Sequence, residues 1–234
     1  MGIEDKDTAA VLIDIYNRLF DRYGPQSWWP ADSPFEVVVG AILTQSAAWT
    51  NVEQAISNLK RENALTPEAL HALPVERLAF LIRPSGYFNA KALKLKAFAE
   101  RLHSRYNGDL GRLFTLDTAS LRQELLSIHG VGEETADSIV LYAARRPSFV
   151  IDAYTRRIAS RLGLAPSKDS YGDFQALFSQ NLPPDERLFN EYHALLVRHG
   201  KEVCRKAPDC PRCCLRSICP YEVPDLQSKS GRLR

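Results

Sequence analysis

Five cysteines lie in one short segment near the end of the chain, and they are the clearest sign of chemistry in the sequence. Four of them, Cys204, Cys210, Cys213 and Cys219, have the spacing C-x5-C-x2-C-x5-C, and Cys214 adds a fifth thiol. Four thiolates so close in sequence suit a [4Fe–4S] cluster or a structural zinc ion, because both are held by four sulfur ligands. The spacing by itself does not separate these two centres.

A second candidate site is the segment SIHGVGEETADSI. Gly130, Val131 and Gly132 have the form of a tight turn that lets a backbone approach a phosphate closely. Two acids, Glu133 and Glu134, follow the turn, and this is unexpected beside a phosphate site. Apolar residues on both sides would pack two helices together: Leu125, Leu126, Ile128, Ala136, Ile139 and Val140. The alternative is a plain glycine C-cap followed by a new helix.

A third candidate is Asp152 in FVIDAYTRRIASRLGL, which follows an apolar run and precedes a helix rich in arginine. Position alone predicts an N-cap, for which aspartate is a preferred residue. A capping carboxylate can also stabilise the positive charge that develops on a sugar as its base departs, or orient the attacking water. The residue therefore fits the cleavage of an N-glycosidic bond.

Apolar residues at helical spacing along nearly the whole chain predict that these sites sit on a mostly α fold. The run SFVI has the composition of a strand, but an isolated strand has no partner. The polar tail PDLQSKSGRLR is predicted to be loose. Two further helices are predicted to start at Thr66 with Pro67 and at Asp117 or Thr118. The other predicted helices lie at residues 11–20 and 35–43 and at roughly 86–105, 132–145, 152–162 and 184–200.

Composition limits the class of protein. A chain of 234 residues with 45% hydrophobic content can bury one large core or two modest ones. A net charge of +2 is too small to establish a nucleic-acid partner, so any basic face must be local. No apolar run reaches membrane-spanning length, and the start MGIEDKDTAA lacks the features of a signal peptide. We therefore expect a cytoplasmic protein whose cysteines bind metal rather than form disulfides.

Several motifs in order resemble the endonuclease III superfamily of helix–hairpin–helix DNA glycosylases along nearly the whole chain. They are GAILTQSAAWTNV, RPSGYFNAKALKLK, IHGVGEETADSIVLYA, VIDAYTRRI and HALLVRHGKEVC, followed by the cysteines. The resemblance implies a two-lobed all-α fold and a [4Fe–4S] cluster, although the first cysteine gap is one residue shorter than usual. The implied parts are a central helical barrel at 27–146 with the hairpin at about 121–146, and a second lobe at 1–26 and 147–234 with the cluster loop at 204–219.

The resemblance also assigns roles to the two acidic positions. Asp152 matches the catalytic aspartate of the family. Glu134 occupies the position where bifunctional members carry a lysine that forms a Schiff base with the sugar, and a carboxylate cannot do so. This predicts a monofunctional glycosylase that uses water. Two alternatives stay open: an endonuclease III-like glycosylase with lyase activity, acting on oxidised pyrimidines or mismatched thymine through another amine such as Lys201, and a non-catalytic DNA-binding module.

The predicted substrate is an alkylated purine. The motif SWWP, with Trp28, Trp29 and Pro30, and the later Trp49 resemble the branch that excises 3-methyladenine, as does Glu134 in the hairpin pattern. These five residues are the predicted base pocket. An alkylated purine is cationic and already has a weakened glycosidic bond, so stacking on aromatic faces and one carboxylate would suffice. The alternative for each tryptophan is a place in the core.

The predicted DNA contacts lie in three segments: Gln45, which fills the gap left by the flipped nucleotide; Gly86, Asn89 and Lys91 in a second backbone-contacting loop; and Gly130, Val131 and Gly132 in the hairpin. Lys94 and Lys96 are interpreted as a solvated helix face, and His193 and His199 as packing or surface residues. The expected partner is double-stranded DNA that contains a damaged base. We expect a monomer in a bacterial or archaeal cytoplasm, acting at the nucleoid.

Overall fold

A computed structural model describes residues 7–222 of the chain, and these residues contain helices and no strand. This confirms the predicted all-α class. The polar tail from Pro224 onward lies outside the described residues. The helices are α1 (Thr8–Tyr23), α2 (Pro34–Leu43), α3 (Trp49–Arg61), α4 (Pro67–Ala72), α5 (Val75–Leu81), α6 (Phe88–Tyr106), α7 (Leu110–Leu113), α8 (Thr118–Leu126), α9 (Glu133–Ser138), α10 (Ala153–Arg161), α11 (Tyr171–Ser179) and α12 (Glu186–Glu202).

Local differences from the predicted elements have simple causes. The single helix predicted at 132–145 is α9 followed by a π-helical turn, Ile139–Ala143, whose residues are all buried. The run SFVI is buried but forms no strand. Four helices, α3, α5, α7 and α11, were not predicted. Three of these four are nine residues or shorter, so their apolar positions show too little periodicity to be recognised.

The chain divides into two compact units, which are described separately. The unit named here the hairpin unit comprises Ser27–Val150 and Pro184–Asn190. The unit named the cysteine unit comprises Met1–Gln26, Ile151–Pro183 and Glu191–Arg234.

Capping side chains set where several helices begin. Ser33 accepts a hydrogen bond from the Glu36 N–H, and Pro34 follows it at the first helical position. Thr66 accepts in the same way from the Ala69 N–H. Each cap satisfies a helix N–H that has no partner within the helix, and such a cap contributes about 1 kcal/mol. The helix starts predicted from Thr66 and from Asp117 are confirmed, with Asp117 capping α8.

Helix α2 is the core of the hairpin unit. All of its residues from Phe35 to Leu43 are buried, and α3, α6, α9 and the π turn pack around it. A helix that is apolar on every side needs neighbours on every side. Glu36 is the one acid within it, and its carboxylate accepts from Lys60 Nζ at 2.8 Å and from the Asp32 N–H at 3.0 Å. The buried charge is therefore paired.

Helix α12 organises the cysteine unit. The buried Tyr192 donates its O–H to the Leu12 carbonyl of α1 at 2.9 Å, and its ring meets Phe178 of α11 edge-on at 5.7 Å. Farther along α12, Gly200 lies against Tyr154 of α10, where an added Cβ would stand 2.6 Å from Tyr154 Cδ1. The absence of a side chain at Gly200 therefore lets α10 and α12 approach closely. Among the described residues, no helix combines the length and the apolar character needed to span a bilayer.

Candidate functional site

The turn between α8 and α9 needs its first glycine. Gly130 has a φ of +82°, in the left-handed region that L side chains rarely adopt. The Val131 N–H donates to the Ile128 carbonyl at 3.1 Å, and the Val131 side chain is buried. By contrast, the N–H groups of Gly130 and Gly132 have no acceptor within the described residues. The turn therefore offers these two amides to a ligand. The contact predicted for Val131 must be revised, because its N–H already closes the turn.

Asp137 holds the two hairpin helices together from the inside. Its fully buried carboxylate accepts from Arg122 of α8 through Nε at 2.8 Å and through the second guanidinium nitrogen at 3.0 Å. Ser148 Oγ donates to the same carboxylate at 2.6 Å. A bidentate, charge-assisted pair of this kind fixes distance and orientation at once. The hairpin is thus a rigid element.

The two acids after the turn lie on its exposed side. The Glu133 carboxylate stands 3.5 Å from Arg122, so the same guanidinium offsets its charge. The Glu134 main-chain carbonyl accepts from Ser138 Oγ at 2.7 Å. The phosphate-binding groups of the turn are backbone amides, so exposed acids are compatible with it. The place of Glu134 in the base pocket stays a prediction.

Gln45, just beyond the end of α2, is bonded to the hairpin. Its Nε2 donates to Thr135 Oγ1 at 2.9 Å and to the Gly130 carbonyl at 3.2 Å. Its Oε1 accepts from the Lys94 ammonium of α6. In this conformation the amide is occupied by protein partners. The predicted filling of the gap in DNA would require Gln45 to exchange these bonds for contacts with bases.

The loop before α6 contains both exposed and buried predicted residues. Gly86 has a φ of +68°, and Gly86 and Asn89 are exposed, as a backbone-contacting loop requires. Between them, Tyr87 is 76% exposed. Lys91 is only 2% exposed, and its ammonium donates to the Leu43 carbonyl at 2.8 Å and the Ser85 carbonyl at 2.6 Å.

The phosphate contact predicted for Lys91 is therefore wrong. Its ammonium is used internally, where it ties the end of α2 to the loop before α6. Burial, together with a smaller contribution from the nearby Lys94 charge, lowers the pKa of Lys91 to about 8. The sequence does not signal this role, because a lysine at a helix start is usually exposed.

All three tryptophans of the chain contact one another in the hairpin unit. The ring centroids of Trp28, Trp29 and Trp49 are 5.2–5.3 Å apart, and we call these residues the tryptophan cluster. Tyr142 of the π turn packs on Trp29 at 5.3 Å and was not predicted. Each tryptophan is half-buried, so the cluster is neither core nor free surface. Pro30, next to it in sequence, is exposed.

Two hydrogen-bond donors in the tryptophan cluster have no acceptor among the described residues. The indole nitrogens of Trp28 and Trp29 are buried, and neither has a hydrogen-bond partner among the described residues. Trp29 also lies directly on Gly40 of α2, where an added Cβ would stand 3.0 Å from its ring. A buried N–H without an acceptor costs about 1–3 kcal/mol, and native proteins normally avoid it. Both N–H groups are enclosed by protein, so a ligand would meet only the partly exposed faces of the rings.

Asp152 begins α10 in the cysteine unit. Its Oδ1 accepts from the Thr155 N–H at 2.7 Å, so the predicted N-cap is confirmed. Its side chain is 13% exposed, and its Oδ2 stands 3.8 Å from Nε2 of His193 on α12. Before it, the Ile151 N–H donates to the Tyr171 hydroxyl at 3.3 Å. The carboxylate is held from both sides while keeping one oxygen for chemistry.

His193 was expected to be a packing residue, and the structure places its buried imidazole beside Asp152. Burial lowers the pKa of His193, while the Asp152 charge opposes this shift and Lys201 adds to it. Burial therefore favours the neutral form of this imidazole.

The helix that carries Asp152 is anchored to the cysteine loop. Arg157 donates to the Cys204 carbonyl at 2.8 Å and to the Gly200 carbonyl at 3.0 Å. Arg161 donates to Cys204 Sγ at 3.2 Å, and Tyr221 lies under its guanidinium at 4.6 Å. These contacts make the cysteine loop a support for α10.

The four predicted thiol ligands influence one another electrostatically. Burial raises the pKa of Cys213 to about 11, and the Cys204 and Cys219 thiols contribute to the increase. Burial also raises the pKa of Cys219, with the Cys204 and Cys210 thiols adding to it. Such thiols ionise readily only beside compensating positive charge, which a metal centre supplies. No three histidine, cysteine or acidic side chains of residues 7–222 converge on a single ion. The ligand set stays a prediction that the thiol grouping fits.

The fifth thiol faces a different environment. The pKa of Cys214 is raised by burial and lowered by Arg22 and Arg18 of α1. Cys213 Sγ instead lies 3.5 Å from His199 Nε2, and His199 Nδ1 lies 2.9 Å from the Tyr23 hydroxyl. Burial lowers the pKa of His199 to about 4. Cys214 is therefore influenced by the two arginines of α1, and its thiol also contributes to the raised pKa of Cys213.

A family model described as "HhH-GPD superfamily base excision DNA repair protein" matches residues 39–184. A protein of Methanocaldococcus jannaschii, named as a candidate DNA repair glycosylase, is 48% identical over 210 residues, which cover 89% of this chain and 96% of the relative.

Two solved structures share the fold. An endonuclease III in a non-covalent complex with DNA has a TM-score of 0.78 at 23% identity, covering 91% of this chain and 95% of that one. The H. pylori 3-methyladenine DNA glycosylase bound to 1,N6-ethenoadenine has a TM-score of 0.70 at 23% identity, covering 84% of this chain and 98% of that one. At these identities the likeness concerns the fold alone.

Proposed function

Because the chain belongs to the helix–hairpin–helix (HhH-GPD) superfamily of base excision DNA repair proteins, we propose that it is a monofunctional DNA glycosylase that releases an alkylated purine. The substrate would be a base flipped out of double-stranded DNA, such as 3-methyladenine. Water would be the nucleophile.

The tryptophan cluster is the observation that carries this substrate assignment. Three half-buried indoles in mutual contact present a large aromatic surface within the hairpin unit. Aromatic faces attract cations, and an alkylated purine carries a positive charge that the normal purine lacks. The flipped base would stack on the partly exposed faces of these rings.

The reaction needs few groups because the substrate is already activated. As the bond between the sugar C1′ and the base nitrogen breaks, its electron pair moves to the base, which leaves neutral and requires no acid. Asp152 would stabilise the positive charge that develops on the sugar and orient the water whose oxygen bonds to C1′. The proton of that water passes to the carboxylate or to solvent. His193 stands 3.8 Å from the Oδ2 of Asp152, and burial lowers the pKa of this imidazole.

The absence of a lyase step is proposed from Glu134. The hairpin sequence from Ser127 to Ser138 contains no lysine, and a carboxylate at Glu134 cannot form a Schiff base. A strand break would then require separate chemistry after the base has left. The product is an intact strand with an abasic site.

We assign Cys204, Cys210, Cys213 and Cys219 as ligands of a [4Fe–4S] cluster. When bound, the cluster supplies positive iron charge that stabilises four thiolates in a place where burial disfavours them. A thiolate ligand has no proton to donate, so the His199 Nε2 beside Cys213 must be the donor. This leaves Nδ1 to accept from the Tyr23 O–H. The two side chains would hold Cys213 in one orientation.

The test is base release from duplexes that each contain one defined lesion: 3-methyladenine, 7-methylguanine, thymine glycol or a G·T mismatch. Half of each reaction is treated with hot alkali, which cleaves abasic sites. We expect strand breaks on the methylated purines only after alkali. Breaks without alkali would show lyase activity, and release only from thymine glycol or the mismatch would overturn the substrate class.

Asp152→Asn is the matched variant, because asparagine can still cap α10 but carries no charge. We expect base release to fall at least about 100-fold with unchanged affinity for DNA. If base release stays at the wild-type rate, the catalytic role of Asp152 is wrong. If neither protein releases any base yet both bind DNA, the chain is a binding module rather than an enzyme.

A further inference from the structure

The positive charge beside the hairpin comes from α6. The turn itself has none, because residues 127–134 include no lysine or arginine and end in two glutamates. Lys94 of α6 lies directly on this turn. An added Cβ on Gly130 would stand 2.3 Å from Lys94 Cγ, so the methylene chain of the lysine covers the face of the glycine.

Three arginines beside the hairpin are paired with carboxylates. Arg122 binds Asp137 and Glu133. Arg101 and Arg105 of α6 both bind Glu124 at 2.9 Å. Lys94 differs from them, because its ammonium donates to the neutral amide of Gln45 and forms no ion pair within the described residues. Its charge is therefore available to an incoming anion.

The Lys94 side chain is also already ordered in the free protein, so binding a phosphate would cost little additional conformational entropy. Its stem packs on Gly130, and its ammonium bonds to Gln45, which is itself bonded to Thr135 and to the Gly130 carbonyl. An ammonium has three N–H donors, so one bond to Gln45 leaves two for another acceptor. Lys94 is half-buried rather than enclosed, so an acceptor can reach it from solvent.

We propose that Lys94 is a phosphate-contacting residue of the hairpin, which supplies from α6 the cation that the turn lacks. The ligand is a backbone phosphate of the DNA duplex, contacted next to the free amides of Gly130 and Gly132. This inference rests on the proposed function in one respect, namely that the hairpin binds DNA. It also explains how a hairpin followed by two acids can approach a polyanion.

The test is the affinity of the full-length protein for an undamaged duplex, measured over a series of salt concentrations. Each phosphate contact contributes about 0.9 to the slope of log affinity against log salt. We expect Lys94→Met to make the slope shallower by about 0.9. It should also reduce the affinity for damaged and for undamaged duplexes by the same factor. Lys94→Arg should keep the wild-type slope.

Lys96→Met is the matched control, because it removes an equal charge from the same helix. The Lys96 ammonium donates to the carbonyls of Leu70, His71 and Leu73, so it is used within the protein. We expect the salt slope of Lys96→Met to equal that of wild type. Thermal melting would show that Lys94→Met and Lys96→Met both fold. Gln45→Met separates charge from positioning, because it removes the amide that holds Lys94 but keeps the charge.

If Lys94→Met leaves the slope of log affinity against log salt unchanged, the proposal is overturned. It is also overturned if Gln45→Met, which keeps the Lys94 charge, reduces this slope as much as Lys94→Met does. If wild type itself does not bind the duplex, the proposed function fails instead. That outcome is distinct, because it is seen before any variant is compared.

Discussion

Two regions of the hairpin unit differ in whether their polar groups have hydrogen-bond partners. Around the hairpin, the side chains of Gln45, Lys91, Lys94, Arg122 and Asp137, called here the hairpin network, bond to one another or to nearby backbone and side-chain groups. In the tryptophan cluster, two buried indole N–H groups have no acceptor among the described residues. Every side chain of the hairpin network has at least one hydrogen-bond partner in the free protein, whereas two indoles of the cluster have none among the described residues.

The difference indicates how the two regions work. A surface that grips any stretch of backbone must keep one shape, and satisfied hydrogen bonds provide that rigidity. A surface that selects one base acts through the ring faces on which that base stacks. We therefore expect changes in the hairpin network to alter stability and general DNA binding, and changes in the cluster to alter the response to one base.

The largest effect is expected for Asp137→Ala. It removes the fully buried carboxylate that accepts from the half-buried Arg122 and from Ser148, and breaking a buried pair costs up to about 3–5 kcal/mol. Chemical denaturation should show this loss in the free energy of unfolding. Glu133→Gln is the control, because Glu133 meets the same arginine at 3.5 Å but is half exposed, and a change below about 0.5 kcal/mol is expected. Equal losses in the two variants would contradict the rigid-hairpin interpretation.

The next effect is a pH dependence that comes from Lys91. Its pKa is lowered from 10.5 to about 8 in the folded protein, so between these values the unfolded chain binds more protons. Stability due to this group therefore rises with pH across that window, and below it the full cost of burying the charge remains. Relative to Lys91→Met, wild type should gain up to about 3 kcal/mol between about pH 8 and 10.5. A difference that stays constant with pH would exclude a buried ammonium.

A smaller effect with a different pattern is expected for Trp29→Phe. The substitution keeps an aromatic ring but removes the unpaired N–H. We expect kcat/KM for the alkylated purine to fall about tenfold, because the smaller ring gives the flipped base less aromatic surface to stack on. The free energy of unfolding should change by less than about 1 kcal/mol, since relief of the buried donor offsets the lost ring contacts. A large loss of stability with normal kcat/KM would show that the cluster is ordinary core.

The smallest effect is expected for Thr135→Val. It removes one acceptor from Gln45 and leaves the bonds to Gly130 and Lys94 in place. A single hydrogen bond contributes about 1 kcal/mol, so thermal melting should shift by only a few degrees. DNA affinity should be unchanged within about twofold. A loss of affinity as large as that of Lys94→Met would mean that the hairpin network acts as a single unit.

Much of the site could be predicted because its signals are local. The turn needs glycine at position 130 for its φ, and Asp152 caps α10 through an N–H three residues away. Cysteine spacing likewise groups four thiols without knowledge of the fold. The prediction for Lys91 was wrong because its role depends on a distant residue. Its position at a helix start does not indicate that its ammonium donates to the carbonyl of Leu43.

The sequence by itself determined the helical class, the caps at Thr66, Asp117 and Asp152 and the glycine turn of the hairpin, since these depend on periodicity or on residues within one or two turns of chain. Only the tertiary structure decided where charges and donors go. Lys94 reaches Gln45 and Gly130, Arg122 reaches Asp137, and His193 reaches Asp152 across gaps of 15 to 49 residues. Such pairs form because burial makes an unpaired charge costly, and which partner is close enough is set by helix packing.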